Sequence, residues 1–198
     1  MSSEEPAGRP NQSSAAEDVA LLGRIKAGST EEFAEIVRRY QNRVFSILYR
    51  YERDAQRLED LAQETFVKVW RALDQFDGRA PFEHWLSKIA VRTALDHLRR
   101  ERKFKQEIGL PELGEDALDW LRTGNEKSEL DSRSAAEILW LALRDLSPTD
   151  QMIITMQELE GRSVKEISAV LNISGVAVRV RAVRARLKLK NALTKLEQ

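Results

Sequence analysis

Ser163-Val-Lys-Glu-Ile-Ser-Ala-Val-Leu-Asn-Ile-Ser174 is the stretch on which the fold turns. Ser163 precedes a short apolar-periodic run, and its hydroxyl oxygen can accept from an orphan N–H of a first helical turn. Asn172 is a residue type that tolerates left-handed backbone, and Ser174 can cap a new helix directly after it. Short helix, tight turn and second helix make helix-turn-helix geometry. From Ser174 onward the charges are Arg179, Arg181, Arg184, Arg186, Lys188, Lys190 and Lys195 against Glu197 alone. A basic second helix suits the DNA major groove, which admits one helix whose flanks meet phosphates.

At ~100° per residue, the second helix carries two apolar stripes on opposite sides. Val178, Ala182, Ala185 and Leu189 form one, and Val176, Val180, Val183 and Leu187 form the other. Between them run two basic stripes, Arg179, Arg186 and Lys190 on one flank and Arg181, Arg184 and Lys188 on the other. Periodicity leaves two arrangements open. Both faces can be buried with snorkelling arginines, or one ridge can turn to DNA, where aliphatic groups meet thymine methyls and arginines meet phosphates or guanine edges.

Working outward, helical period covers Ser132 to Asp145, Pro148 to Leu159 and Val164 to Leu171, which with the last helix make a C-terminal domain over 130–198. Residues 104–129 hold Gly109, Pro111, Gly114 and Gly124 among acids and predict a flexible acidic linker, with one short amphipathic piece around Trp120. Upstream, Phe33, Ile36, Val37, Tyr40, Val44, Ile47, Leu48 and Tyr51 recur at helical spacing, as do Leu58, Leu61, Phe66, Val69, Trp70 and Leu73. Ser29 or Thr30 is the expected cap of the first of these helices and Asp54 of the second. A third runs from about Phe82 to Lys103, with Pro81 in its first turn. These predict an N-terminal helical domain over 17–103, preceded by a disordered tail at 1–16 whose Ser, Pro, Gly, Gln and Asn cannot offset the entropy of ordering. No strand-like alternation appears, so the expected class is all-α with two helical domains.

Composition narrows the function. The 198 residues hold 32 basic and 32 acidic side chains, but charge is sorted by segment into an acidic linker and a basic end. With no Cys and only His84 and His97, neither a disulfide framework nor a thiolate zinc site can be built, and no metal or cofactor is expected. That absence of thiols fits a reducing cytoplasm. No apolar run approaches the ~20 residues a membrane span needs, so no membrane insertion is expected.

The motifs then point to a family. Leu146-Ser-Pro148, Glu158-Leu-Glu-Gly161, Ser163-Val-Lys-Glu-Ile167 and Val178-Arg-Val-Arg-Ala-Val-Arg-Ala-Arg186 resemble the sigma-4 domain of extracytoplasmic-function (ECF) sigma factors, in the sigma-70 family. Asp60-Leu-Ala-Gln-Glu-Thr-Phe-Val-Lys-Val-Trp70, Phe82-Glu-His-Trp-Leu-Ser-Lys-Ile-Ala90 and Ala94-Leu-Asp-His-Leu-Arg-Arg100 independently resemble the sigma-2 domain. Two matches in the right order, spanning about 18 to 194, are more specific than either alone.

The resemblance implies a sigma-2 helical bundle and a sigma-4 helix-turn-helix that bind core RNA polymerase and promoter DNA under the control of an anti-sigma factor. It implies that Val178, Ala182, Ala185 and Leu189 pack inward. The -35 element would then be met by Ser174, Arg179, Val180, Arg181, Val183, Arg184, Arg186 and Lys188. Asp60, Gln63 and Glu64 would meet the polymerase. The -10 element would be captured by the loop from Phe76 to Pro81, with Asp77, Gly78 and Arg79, and by the helix face bearing Lys88, Arg92, Asp96, Arg99 and Arg100. Arg102 and Lys103 extend its basic end, and Phe82, Trp85 and Leu86 are expected in the core. Two departures affect promoter preference: Arg92 stands where many relatives carry Asn, and Val176-Ala-Val-Arg-Val180 replaces Gly-Thr-Val-Lys/Arg-Ser.

Two other classes compete. A conventional helix-turn-helix regulator with a sensing or dimerising N-terminal domain would bind duplex without polymerase, which a gel shift detects. A nuclease or recombinase using Asp54, Glu59, Asp60 and Glu64 lacks an accompanying His, phosphate loop or nucleophile, and helical spacing scatters those carboxylates.

Overall fold

The structure, a computed structural model, describes residues 12–107 and 135–196, and no strand occurs among them. Contacts sort the chain into two compact units, Met1–Ala94 and Leu95–Gln198, the division falling inside one long helix.

Unit 1 is built from α1 (Gln12–Lys26), α2 (Phe33–Leu48), α3 (Ala55–Arg71) and the first part of α4 (Phe82–Glu107). Its core is the apolar stripe of each helix: Leu21, Leu22 and Ile25 from α1, Ile36, Val44, Ile47 and Leu48 from α2, Leu61, Phe66 and Val69 from α3, and Phe82, Leu86, Ala90 and Val91 from α4. Burial of each large aliphatic contributes about 1.5–3 kcal/mol before entropy is counted. Asp54 caps α3 as expected, its Oδ1 accepting from the Arg57 N–H at 2.9 Å.

Four boundaries differ from expectation, each for a local reason. Ser29 makes no side-chain cap to backbone; a 3-10 turn over Thr30–Glu32 leads into α2 instead. Pro81 stands just before α4, and its carbonyl accepts from the His84 and Trp85 N–H groups at 3.0 and 3.3 Å. That helix runs on to Glu107 because nothing after Lys103 breaks it before Gly109. At the other end α1 begins at Gln12, inside the segment that composition assigns to a tail. Once Leu21, Leu22 and Ile25 nucleate the helix, each preceding residue adds one hydrogen bond, and Ala15 and Ala16 favour that extension. Residues 1–11 and the piece around Trp120 lie outside the described residues.

Unit 2 contains α5 (Ala135–Arg144), α6 (Pro148–Ile154), α7 (Val164–Leu171) and α8 (Gly175–Leu196). Ser147 caps α6, and Pro148 occupies its first turn, where a missing N–H costs nothing. After Ile154 the backbone widens into a π-helical turn over Thr155–Leu159, closed by the Glu160 N–H donating to the Thr155 carbonyl at 3.2 Å. Three helices hold α8: α5, α6 and α7 all pack on it. Leu143, Leu146 and Ile154 gather around Ala185, with Leu139 and Leu189 against their edge.

Candidate nucleic-acid interface

The turn between α7 and α8 is built from short-range hydrogen bonds. Ser163 and Glu166 form a reciprocal capping box: the Ser163 Oγ accepts from the Glu166 N–H at 3.3 Å, and the Glu166 carboxylate accepts from the Ser163 N–H at 2.8 Å. Asn172 ends α7 in the left-handed region, at φ 54°. The Ser168 hydroxyl donates to the Ile173 carbonyl at 2.5 Å, and the Ser174 Oγ accepts from the Ala177 N–H at 3.1 Å, starting α8. Ile167 and Val170 are buried, so α7 fixes where α8 begins and how it is rotated.

Of its two apolar stripes, α8 buries only one. Val178 is 0% exposed and Ala182 and Ala185 are each 1% exposed, while Val176, Val180, Val183 and Leu187 are 66%, 44%, 64% and 61% exposed. The two-sided burial left open by periodicity is thereby excluded.

The basic residues of α8 divide by pairing. Arg181 donates to Asp150 of α6 at 2.7 Å, and Arg186 donates to Glu158 at 2.7 Å and to Gln157 at 3.3 Å. These are the two cations closest to the buried seam, each ~70° from its centre. Arg179, Arg184, Lys188 and Lys190 have no acidic partner among the described residues and stand exposed. The division cuts across the two basic stripes, since each stripe gives one arginine to the domain and keeps others outward.

In unit 1, the loop before α4 is shaped by Asp77, whose Oδ1 accepts from the Arg79 N–H at 3.0 Å, and by Gly78 at φ 73°. The Arg79 guanidinium meets Asp77 at 3.2 Å and is otherwise open to solvent. Phe76 differs from its loop neighbours: its ring is buried against Phe82 and Trp85, with centroids 5.3 and 5.4 Å away. That ring is core, while the Phe76 carbonyl accepts from Lys26 Nζ at 2.9 Å. Phe82 and Leu86 are buried as expected, and Trp85 is half-buried. Lys88, Arg92, Asp96, Arg99 and Arg100 are exposed on α4, with Arg99 and Asp96 3.8 Å apart.

On α3, Asp60 and Gln63 are exposed, and Glu64 is partly exposed and paired with Lys68 at 2.9 Å. The polar face continues into an apolar one, of which only Trp70 belongs to the apolar period read from the sequence. Val67 is 46% and Trp70 40% exposed, with the indole edge-on to Phe33 at 4.9 Å, and with Thr30 and Phe66 these line a shallow concavity.

Comparison with known proteins decides the family. The Sigma-70 region 2 family model matches residues 36–104, and the Sigma-70, region 4 model matches residues 136–189. The ECF RNA polymerase sigma-E factor of Haemophilus influenzae is 31% identical over 185 residues, covering 90% of this chain and 96% of its own. The chain belongs to the ECF sigma factors of the sigma-70 family. The sigma-E factor of Escherichia coli K12 is 32% identical over 183 residues, covering 90% of this chain and 95% of its own. Among solved structures, CnrH in complex with the cytosolic domain of CnrY has a TM-score of 0.53 at 25% identity, covering 88% of this chain and 96% of that one. Sigma factors are not an enzyme family. No helix among the described residues is long and apolar enough to cross a membrane.

The sigma region 2 match takes in most of α2, all of α3, the loop at Phe76 to Pro81 and α4 as far as Phe104. The region 4 match takes in α5 to α7 and α8 as far as Leu189. Sequence reasoning missed Lys26, Asp150, Glu158 and the Val67–Trp70 face. Lys26 lies 50 positions from its acceptor, and no local pattern signals that bond. The arginine pairs had a signal, because cations bordering a buried seam lie within reach of neighbouring helices.

Proposed function

We propose that this sigma factor binds core RNA polymerase and directs promoter-specific initiation, reading the -35 element with α8 and opening the -10 element with the α4 surface and its preceding loop. One observation carries the reading. Val180 and Val183 face outward between Arg179 and Arg184, on a helix whose opposite stripe is buried by three others. A helix held this way can enter a major groove without giving up its own core. Arg179 and Arg184 are assigned to base edges or phosphates, Ser174 to the helix start nearest the DNA, and Lys188 to phosphates. Arg181 and Arg186 fix the helix on its domain while keeping exposed N–H groups for phosphate oxygens.

The sigma-2 domain is assigned to 17–103 and the sigma-4 domain to 130–198, joined by the acidic linker at 104–129. Asp60, Gln63 and Glu64 are assigned to core polymerase. Asp77, Gly78, Arg79, Lys88, Arg92, Asp96, Arg99 and Arg100 are assigned to the unpaired -10 strand, as cations and polar groups beside an extruded base. Phe76 supports that surface from beneath. An anti-sigma partner is assigned as well, in keeping with a solved structure of similar fold, the sigma factor RpoE from Bartonella quintana in complex with the anti-sigma factor NepR.

Run-off transcription tests the proposal. The full chain added to core polymerase should give a discrete promoter-dependent transcript, which core alone does not. Specific duplex binding by the chain alone, with no transcript in the presence of core, overturns it in favour of a conventional regulator.

A further inference from the structure

The loop before α4 leaves the bundle at Phe76, in extended backbone at φ -73° and ψ 111°. Two different groups of that residue are held. Its ring packs on Phe82 and Trp85, which fixes the direction of its Cα–Cβ bond. Its carbonyl accepts from Lys26 Nζ at 2.9 Å, which fixes the planar peptide leading to Asp77. The rest of the loop follows from that plane. Asp77 Oδ1 accepts from the Arg79 N–H at 3.0 Å and Oδ2 meets the Arg79 guanidinium at 3.2 Å, so turning the 76–77 peptide would carry Arg79 with it.

Lys26 is the last residue of α1, where a lysine ordinarily sits over its own helix's terminal carbonyls or keeps its head in water. Those carbonyls are already taken: Gly23, Arg24 and Ile25 accept from the N–H groups of Ala27, Ser29 and Gly28 at 3.0, 3.1 and 3.1 Å. The ammonium crosses instead to a carbonyl 50 positions away. The helix that presents it is braced. Leu22 and Ile25 are buried, and Arg24 donates to Glu32 through Nε at 2.8 Å and Nη2 at 2.6 Å. Asp18, 4% exposed, accepts from the Tyr40 hydroxyl, and the Tyr40 ring stands edge-on to Phe82 at 5.4 Å. Both holds on Phe76, ring and carbonyl, thus trace back to α1.

We propose that Lys26 is a positioning residue for promoter opening: from α1 it sets the direction in which the loop from Phe76 to Pro81 leaves the bundle, and so where Arg79 stands when the -10 strand is captured. The inference rests on the assignment of that loop to the -10 element.

Lys26→Met keeps most of the side chain's length and removes the ammonium, whereas Lys26→Arg can still donate. Amide NMR of the full chain should show the Asp77, Gly78 and Arg79 resonances displaced in Lys26→Met, with the rest of the spectrum in place. In holoenzyme, Lys26→Met should slow opening of a duplex promoter about tenfold, read from the time course of permanganate reactivity at -10 thymines. Core assembly and closed-complex affinity should be unchanged, and Lys26→Arg should recover most of the rate. Because Lys26 acts through the loop, adding Lys26→Met to Arg79→Ala should cost less than the two losses taken separately. Additive losses overturn the inference, and a salt dependence lowered by about one contact would make Lys26 a direct phosphate ligand instead. Unmoved loop amides, opening at the wild-type rate, or a spectrum altered throughout overturn it as well. The two readings fail separately: normal opening in Lys26→Met beside slow opening in Arg79→Ala sinks only the positioning role. Displaced loop amides with normal opening in Arg79→Ala sink the -10 assignment and leave the anchor standing.

Discussion

Unit 1 leaves Val67 and Trp70 in solvent beside Asp60, Gln63 and Glu64, whereas unit 2 leaves Val180 and Val183 in solvent between Arg179 and Arg184. Both surfaces are an aliphatic or aromatic strip on one helix, and both have a fully buried strip on the helix's far side. They differ in the sign of the rim. Apolar area supplies binding energy without choosing a partner, whereas charge steers association and rejects the wrong sign. An acidic rim suits a basic protein surface, and a basic rim suits phosphates. One chain can therefore expose two apolar faces and keep their partners apart.

The sharpest way to break the contrast is to place a charge on each side of α8. Val178→Asp puts a carboxylate where exposure is 0%, which costs several kcal/mol, on the order of 4 or more, and should abolish the cooperative urea transition of unit 2. Val183→Asp, on the open side, should leave that transition in place and abolish -35-dependent transcription. Equal destabilisation by the two would mean that the outward ridge is core.

A second test concerns the acidic rim. Asp60→Ala with Gln63→Ala should weaken assembly with core polymerase by about tenfold, ~1.4 kcal/mol, with the thermal melt unchanged. Competition for core against wild-type chain measures it, and wild-type competition by the double variant refutes the assignment. On the α4 surface, Arg92→Ala should reduce permanganate reactivity of -10 thymines while closed-complex formation persists, because arginine can stack on an extruded base. Weakened duplex binding with normal melting would point the other way.

Within the basic rim, position along α8 should separate two roles. A bidentate arginine is worth ~1–3 kcal/mol of discrimination, so Arg184→Ala should flatten preference at one or two -35 positions in a randomised promoter library. Lys190→Ala should weaken all promoters alike and lower the salt dependence by about one contact. The smallest effect is expected at Asp150→Ala, which releases Arg181 from an ion pair that is partly exposed. It should cost at most about 1 kcal/mol of stability. It should also raise the salt dependence of holoenzyme binding to promoter DNA, because a released cation is offered to phosphate.

How much of this was legible depended on range. Ser163, Asn172 and Ser174 act on backbone groups two or three positions away, so the helix-turn-helix could be placed to within a residue. The two stripes of α8 were equally visible, but choosing the buried one needed Leu143, Leu146 and Ile154, residues that α5 and α6 bring to it. Arg181 and Arg186 meet acids 31 and 28 positions upstream, and only tertiary packing creates those encounters. Trp70 follows the apolar period of α3 and still faces solvent beside Phe33, because periodicity marks a face without saying what covers it.

The π-helical turn at Thr155–Leu159 carries a further consequence. It holds one residue more than an α-turn would and ends its helix at Leu159, so the residues late in the turn stand out of phase with those before it by up to ~100°. Glu158 lies inside that shift, and its meeting with Arg186 depends on it. Removing one residue from Thr155–Leu159 would let the helix rewind to a regular α pitch and carry Glu158 around the axis, away from its partner. The length of this turn therefore decides where Glu158 stands against Arg186, and a single-codon deletion there would cost α8 an exposed ion pair and leave its buried stripe in place.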